Sequence, residues 1–154
     1  MRQRLLSASD FAEVVRLTPL ISIDLILRNS NGDALLGVRN NEPAKGFYFV
    51  PGGRILKNER IADAFRRIIL NETGVSADIS QSTFKGVFEH IYDSNFANRS
   101  DFGTHYVVLA YQITQPFDDV RLDSQHSAFE WWDDERIRTS RVVHENTRAY
   151  FLND

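Results

Sequence analysis

Residues 49 to 75, FVPGGRILKNERIADAFRRIILNETGV, place paired glycines, an arginine and the acids Glu59 and Glu72 around a helical run. Glycines at a strand end let backbone approach a ligand closely, and a carbonyl there can ligate a hard cation. At about 100° per residue, Ile68 and Glu72 lie within about 40° of each other, with Asn71 about 60° to the other side of Ile68. These positions share one helix flank, where carboxylates would surround a metal, yet only Glu72 is acidic. Glu72 also falls in the last turn, where the helix dipole disfavours negative charge by roughly 0.3 to 1 kcal/mol. A cation beside it reverses that penalty, whereas a solvated surface Glu is the plain alternative.

The elements that must position these groups are legible as periodic runs. SASDFAEVVRL reads as a short helix, with Asp10 and Glu13 spaced as a capping box. LISIDLILRN alternates, with Ile21, Ile23, Leu25 and Leu27 on one face and Ser22, Asp24, Ile26 and Arg28 on the other. NSNGD is a turn, ALLGVRN a returning strand, and FYFV a short strand that stops at Pro51. Residues 59 to 73 form a helix with Ile61, Ala64, Phe65, Ile68 and Ile69 at helical spacing and Gly74 as its C-cap. FKGVFEHIY, THYVVLAYQI and AFEWWD read as strands, and residues 133 to 152 as one or two short helices. Strands outnumber helices, so the expected class is α/β (α+β), a mixed sheet covered by helices.

The chain as a whole sets limits. Its 154 residues are the size of one domain, which buries about 70% of its unfolded surface, and no repeat or linker divides residues 1–154. With no cysteine, disulfides and thiolate metal sites are excluded and any metal takes oxygen or imidazole ligands, which points to a hard cation such as Mg²⁺. No stretch approaches a membrane span, so a cytoplasmic protein without a membrane partner is expected. A net charge of −3 argues against a general nucleic-acid binder. The bases are 15 Arg and 3 Lys, a balance that suits phosphate oxygens but that codon bias explains as well.

The stretch from Gly53 resembles the Nudix box. That pattern is glycine, five residues, Glu, seven residues, Arg, then Glu, an aliphatic, any residue, Glu-Glu, any residue, glycine and an aliphatic. Gly53, Glu59, Arg67, Ile69, Glu72, Gly74 and Val75 match it, and Ile68 and Asn71 depart from it. An altered box with its last Glu retained, GFYFVPGGR before it, and HYVVLAY, Gln125-His126 and HENTRAYFL after it, is similar to the GDP-mannose mannosyl hydrolases, an atypical Nudix group. The similarity runs from about Phe11 to Leu152.

That resemblance implies a Nudix fold, a mixed sheet sandwiched between helices. It also implies a GDP-sugar substrate, one Mg²⁺ and a homodimer. Ordinary Nudix enzymes attack phosphorus; in this group water attacks C1 of the sugar with inversion, giving GDP and free mannose. By the likeness, Gly52, Glu72 and Gln125 would hold Mg²⁺ and His126 would be the general base, an imidazole whose unperturbed pKa near 6.5 suits neutral pH. Arg39, Arg54 and Tyr106 match leaving-group contacts, where they would stabilise charge on the departing phosphate. Asp24 falls in the active site, against the alternative of a buried hydrogen-bonding Asp, and His90 matches a position that lines the pocket. Glu59 and Arg67 read as scaffold, and His105 and His144 as structural.

Several features leave alternatives open. Phe47, Tyr48 and Phe49 alternate as core residues more readily than as a guanine stack, and FEHIYDSNFANRSDFGTH reads as a lid or a dimer contact. Two competing functions stand beside the glycosyl hydrolase. A conventional pyrophosphohydrolase is disfavoured by the missing acids, and a silent nucleotide-sugar sensor by the retained base.

Overall fold

The computed structural model describes residues 5–117 and 129–152. Ser7 starts helix α1 (Ala8–Leu17), its Oγ accepting from the Asp10 backbone N–H at 3.1 Å. The cap is therefore Ser7 and not an Asp10–Glu13 box. Asp10 already sits inside the first turn, and Glu13 pairs with Arg16 at 3.1 Å instead.

Strand β1 (Leu20–Arg28) organises the sheet. Along its full length it pairs in parallel with β6 (Thr104–Thr114), which in turn pairs antiparallel with the edge strand β5 (Thr83–Tyr92). On its other side β1 changes partner partway along. Ser22, Ile23 and Asp24 face Arg54, Gly53 and Gly52 of β4 (Gly52–Arg54), whereas Arg28 faces Ala34 of β2 (Ala34–Val38). Between the two pairings the Pro51 carbonyl accepts from the Leu25 backbone N–H at 2.8 Å. Strands β3 (Tyr48–Phe49) and β7 (Glu130–Trp132) flank β2. The sequence reading ends a strand at Pro51 and assigns none to β4. Three residues of Gly-Gly-Arg carry no alternation, and only pairing with β1 makes them a strand.

The two faces of β1 serve two cores. Ile23, Leu25 and Leu27 pack with Phe65, Ile68 and Ile69 of α2 (Ile61–Thr73), and Ile26 packs on the opposite face with Ile137, Tyr150 and Phe151. Burial of each such side chain contributes roughly 1.5–3 kcal/mol. Ile137 lies on α3 (Asp134–Thr139), and the short α4 (Glu145–Arg148) leads into a 3₁₀ turn at Ala149–Phe151 that carries Tyr150. Ile21 departs from the expected stripe, being 52% exposed beyond the reach of α2. The helix starts two residues later than the 59–73 span, and Ile61 is exposed, because Glu59 is occupied with the preceding loop. Gly74 ends α2 in the left-handed region at φ 74°, as its C-cap role requires.

Candidate active site

Seven of the residues singled out in the sequence line one cavity of about 680 Å³: Asp24, Arg39, Gly52, Arg54, Glu72, His90 and Tyr106. They come from β1, the loop after β2, β4, the last turn of α2, β5 and β6. Gln125 and His126 lie outside the described residues.

One wall is built by the β4–α2 connection. Arg67 Nε donates to Glu59 Oε2 at 2.8 Å and its Nη2 to the Arg54 carbonyl at 2.8 Å, while Glu59 Oε1 accepts from the Leu56 backbone N–H at 3.0 Å. The Arg67 guanidinium, through its hydrogen bonds, holds the Glu59 carboxyl below the usual carboxylate range. These box residues are scaffold: they fix the turn that carries Arg54. The Arg54 guanidinium lies 4.2 Å from the centroid of Phe11, a cation–π contact that aims it over the cavity, and burial lowers its pKa.

Gly52 faces β1 so closely that a Cβ there would collide with Asp24 Oδ1 and lie 2.7 Å from the Ile23 carbonyl oxygen. Neighbouring Gly53 leaves room for Ile68, whose Cγ1 would stand 3.0 Å from an added Cβ. Ile68 is 2% exposed and belongs to the core under β4, while Asn71 is exposed to solvent. The two departures from the box therefore differ: Ile68 packs against Gly53 and Asn71 is exposed. Glu72 alone of the three flank positions lines the cavity.

The opposite wall holds a buried polar chain. Asp24 is pushed up to about 6 by burial, against the opposing effects of the Tyr150 hydrogen bond and of Arg39. Tyr150 donates its hydroxyl proton to Asp24 Oδ2 at 2.6 Å, and His90 Nε2 stands 3.3 Å from the Tyr150 hydroxyl oxygen. His90 is 5% exposed, and burial drives it down to about 4, with His144 adding repulsion. Tyr106 is raised, first by burial, with Arg39 opposing through its charge and a hydrogen bond. Arg39 Nε is buried without a partner among the described residues, while its guanidinium sits 5.4 Å from the Phe49 ring centroid.

Of the other described histidines, His144 has a structural contact and His105 lies away from this cavity. His144 accepts from the Asn146 backbone N–H through Nδ1 at 3.1 Å, capping α4, and stacks on Phe49. His105 lines a separate cavity between α1 and the β5–β6 edge. Phe49 is buried beside the cavity, Tyr48 packs on Trp132, and Phe47 stands edge-on to His144. The segment after β5 is organised by Asn95, which donates to the Arg99 and Phe102 carbonyls, and Phe96 packs on Phe11 with tilted rings at 4.7 Å. Sequence reasoning gave no role to Phe11 or Tyr150. Both act through partners distant in the chain, and no local spacing marks them.

Among the described residues no group of three or more His, Asp or Glu side chains gathers to hold a metal ion. The oxygen donors on the cavity wall include the Gly52 backbone and the Glu72 carboxylate. That set suits a hard divalent cation which takes its remaining ligands from substrate and water.

A cavity lined by Arg39, Arg54, the carboxylates Asp24 and Glu72 and a glycine strand, set between a mixed sheet and a helix, suits a phosphate-handling α+β hydrolase scaffold. The NUDIX domain family matches residues 18–152, and the chain belongs to the Nudix hydrolase family. It is 41% identical over 118 residues to the low-salt glycan biosynthesis protein Agl8 of Haloferax volcanii, covering 77% of this chain and 73% of that protein. Its fold is similar to that of a MutT NUDIX hydrolase from Burkholderia pseudomallei, with a TM-score of 0.71 at 23% identity over 87% of this chain and 96% of that one. It is also similar to the NUDIX domain of Shewanella oneidensis NrtR, solved with ADP ribose, at 0.63 and 15% over 94% and 95%.

Proposed function

We propose that the chain hydrolyses a GDP-sugar, GDP-mannose in the first instance, to GDP and the free sugar by attack of water at C1 with inversion. The observation that carries this reading is the fate of the box flank. With Ile68 sealed in the core and Asn71 outside, the described residues offer a single flank carboxylate, Glu72. Several cations gathered on box acids, as attack at phosphorus commonly employs, have no side chains to hold them there. A relative named for glycan biosynthesis agrees with a nucleotide sugar as substrate.

The residues divide the work as follows. Gly52, Glu72 and Gln125 would hold one Mg²⁺, which when bound neutralises the diphosphate and makes GDP a better leaving group. Arg39 and Arg54 bind the diphosphate oxygens from two sides, and the Tyr106 hydroxyl donates to the departing phosphate. Charge neutralisation then takes the place of the acid that an inverting glycosidase ordinarily supplies. Asp24, ionised above about pH 6, presents a carboxylate to the sugar. His90 stays neutral and lines the pocket. His126 takes the proton from the attacking water. The homodimer and the cytoplasmic location implied by the resemblance belong to the same reading, and sedimentation of the purified chain tests the first.

Hydrolysis of GDP-mannose with Mg²⁺ in ¹⁸O-labelled water is the deciding experiment. Label in free mannose beside unlabelled GDP is expected. Label in GMP or in mannose 1-phosphate would mean attack at phosphorus and sink the proposal. In the same assay His126→Gln lowers kcat by roughly 10² to 10⁴ with a smaller effect on KM; near-normal turnover would remove His126 as the base.

A further inference from the structure

We infer that Tyr150 is a positioning residue of this cavity, its one hydroxyl fixing the Asp24 carboxylate and selecting the Nε2–H tautomer of His90. The geometry stands by itself; only its kinetic consequence rests on the glycosyl-hydrolase reading above.

A phenol carries one proton and can donate it once. The 2.6 Å contact to Asp24 Oδ2 is the short one and runs to a carboxylate, so the proton lies there. The 3.3 Å contact to His90 Nε2 is then satisfied only if that nitrogen carries its own hydrogen and donates to the phenolic oxygen. Otherwise two lone pairs would face each other in a buried site. His90 therefore holds Nε2–H and leaves Nδ1 unprotonated.

Asp24 is fixed from both sides. Oδ1 lies against the backbone of Gly52, where a Cβ would collide with it, and Oδ2 takes the Tyr150 proton. Tyr150 itself is held independently of this hydroxyl. It is 7% exposed, belongs to the second core, and meets Phe88 edge-on at 4.7 Å. A phenylalanine fits the same space, so the oxygen alone can be removed. The bonds span 126 and 60 positions of sequence. The C-terminal turn thus sets the orientation of two cavity residues on β1 and β5.

The test is ¹⁵N-imidazole NMR of the intact chain together with steady-state kinetics of Tyr150→Phe. The unsubstituted protein is expected to show His90 as the Nε2–H tautomer, and Tyr150→Phe to redistribute it. With GDP-mannose, kcat falls at least about tenfold, as misplacement of a substrate-facing group does, while inhibition by GDP, which reads the diphosphate half alone, changes less than about twofold. An Nδ1–H tautomer in the unsubstituted protein overturns the proposal whether or not the variant folds. So does unchanged kcat in Tyr150→Phe, or loss of GDP affinity in step with kcat. If the unsubstituted protein shows no turnover of GDP-mannose, the function reading falls alone and the tautomer measurement decides this one.

Discussion

His90 and Asp24 show how one buried hydroxyl can serve two titrating groups whose pKa values move in opposite directions. His90 falls to about 4 from its usual 6.5, because burial penalises the imidazolium. Between those values the unfolded chain binds a proton that the folded chain refuses, so stability declines as pH falls through this window. At about 1.4 kcal/mol per pH unit the loss is about 3 kcal/mol, present in full below pH 4 and absent above pH 6.5. His90→Gln removes that term. Urea unfolding of both proteins at pH 7 and pH 4.5 should show the unsubstituted chain losing about 2 kcal/mol more than the variant on acidification. Parallel losses would mean that His90 is not desolvated. Asp24 moves the other way, raised to about 6, so the two contributions partly offset each other in the unsubstituted protein. That opposition makes the difference between proteins, and not the absolute pH profile, the informative quantity.

The element that delivers the site is the β4–α2 connection, and a salt bridge holds it in place. The Glu59 side chain is 6% exposed and accepts from Arg67 twice and from the Leu56 backbone once, while Arg67 also binds the Arg54 carbonyl. Arg67→Ala strands the carboxylate with one donor; the open flank of Arg67, 33% exposed, admits water and limits the cost. A loss of about 2 kcal/mol by urea unfolding is expected, with a fall in turnover because the strand end bearing Arg54 loses its anchor. Stability equal to the unsubstituted chain would make the pair ornamental. Periodic elements such as α2, β1, β5 and β6 were legible in the sequence because one buried stripe or an alternation writes itself into residue order. Strand β4 was not, since its pairing with β1 decides it. The box spacing brought Gly52, Arg54 and Glu72 to one cavity, and Ile68, which both departs from the box and belongs to the apolar stripe, is core, because Gly53 leaves it room. Tyr150 reached Asp24 across 126 positions, a distance at which no spacing rule operates.

At the scale of the whole molecule, ligands that bind only the folded chain must raise its stability by mass action. Mg²⁺ and GDP, each at about a hundred times its dissociation constant, contribute about 2.7 kcal/mol apiece. For a chain of 154 residues each kcal/mol moves the midpoint by roughly 2–4 °C, so the thermal transition should rise by roughly 5–11 °C for each ligand. The two ligands enter through different residues. In the proposed reading GDP would meet Arg39 and Arg54 and the cation would meet Glu72, all three lining the one cavity, so their increments separate by mutation. Glu72→Gln should retain most of the rise produced by GDP alone and lose the additional rise produced by Mg²⁺. A full magnesium increment in that variant would place the ion on other residues and detach Glu72 from the chemistry. Loss of both increments would mean that Glu72 supports the cavity itself, and the single-carboxylate argument for attack at carbon would then have to rest on labelled water alone.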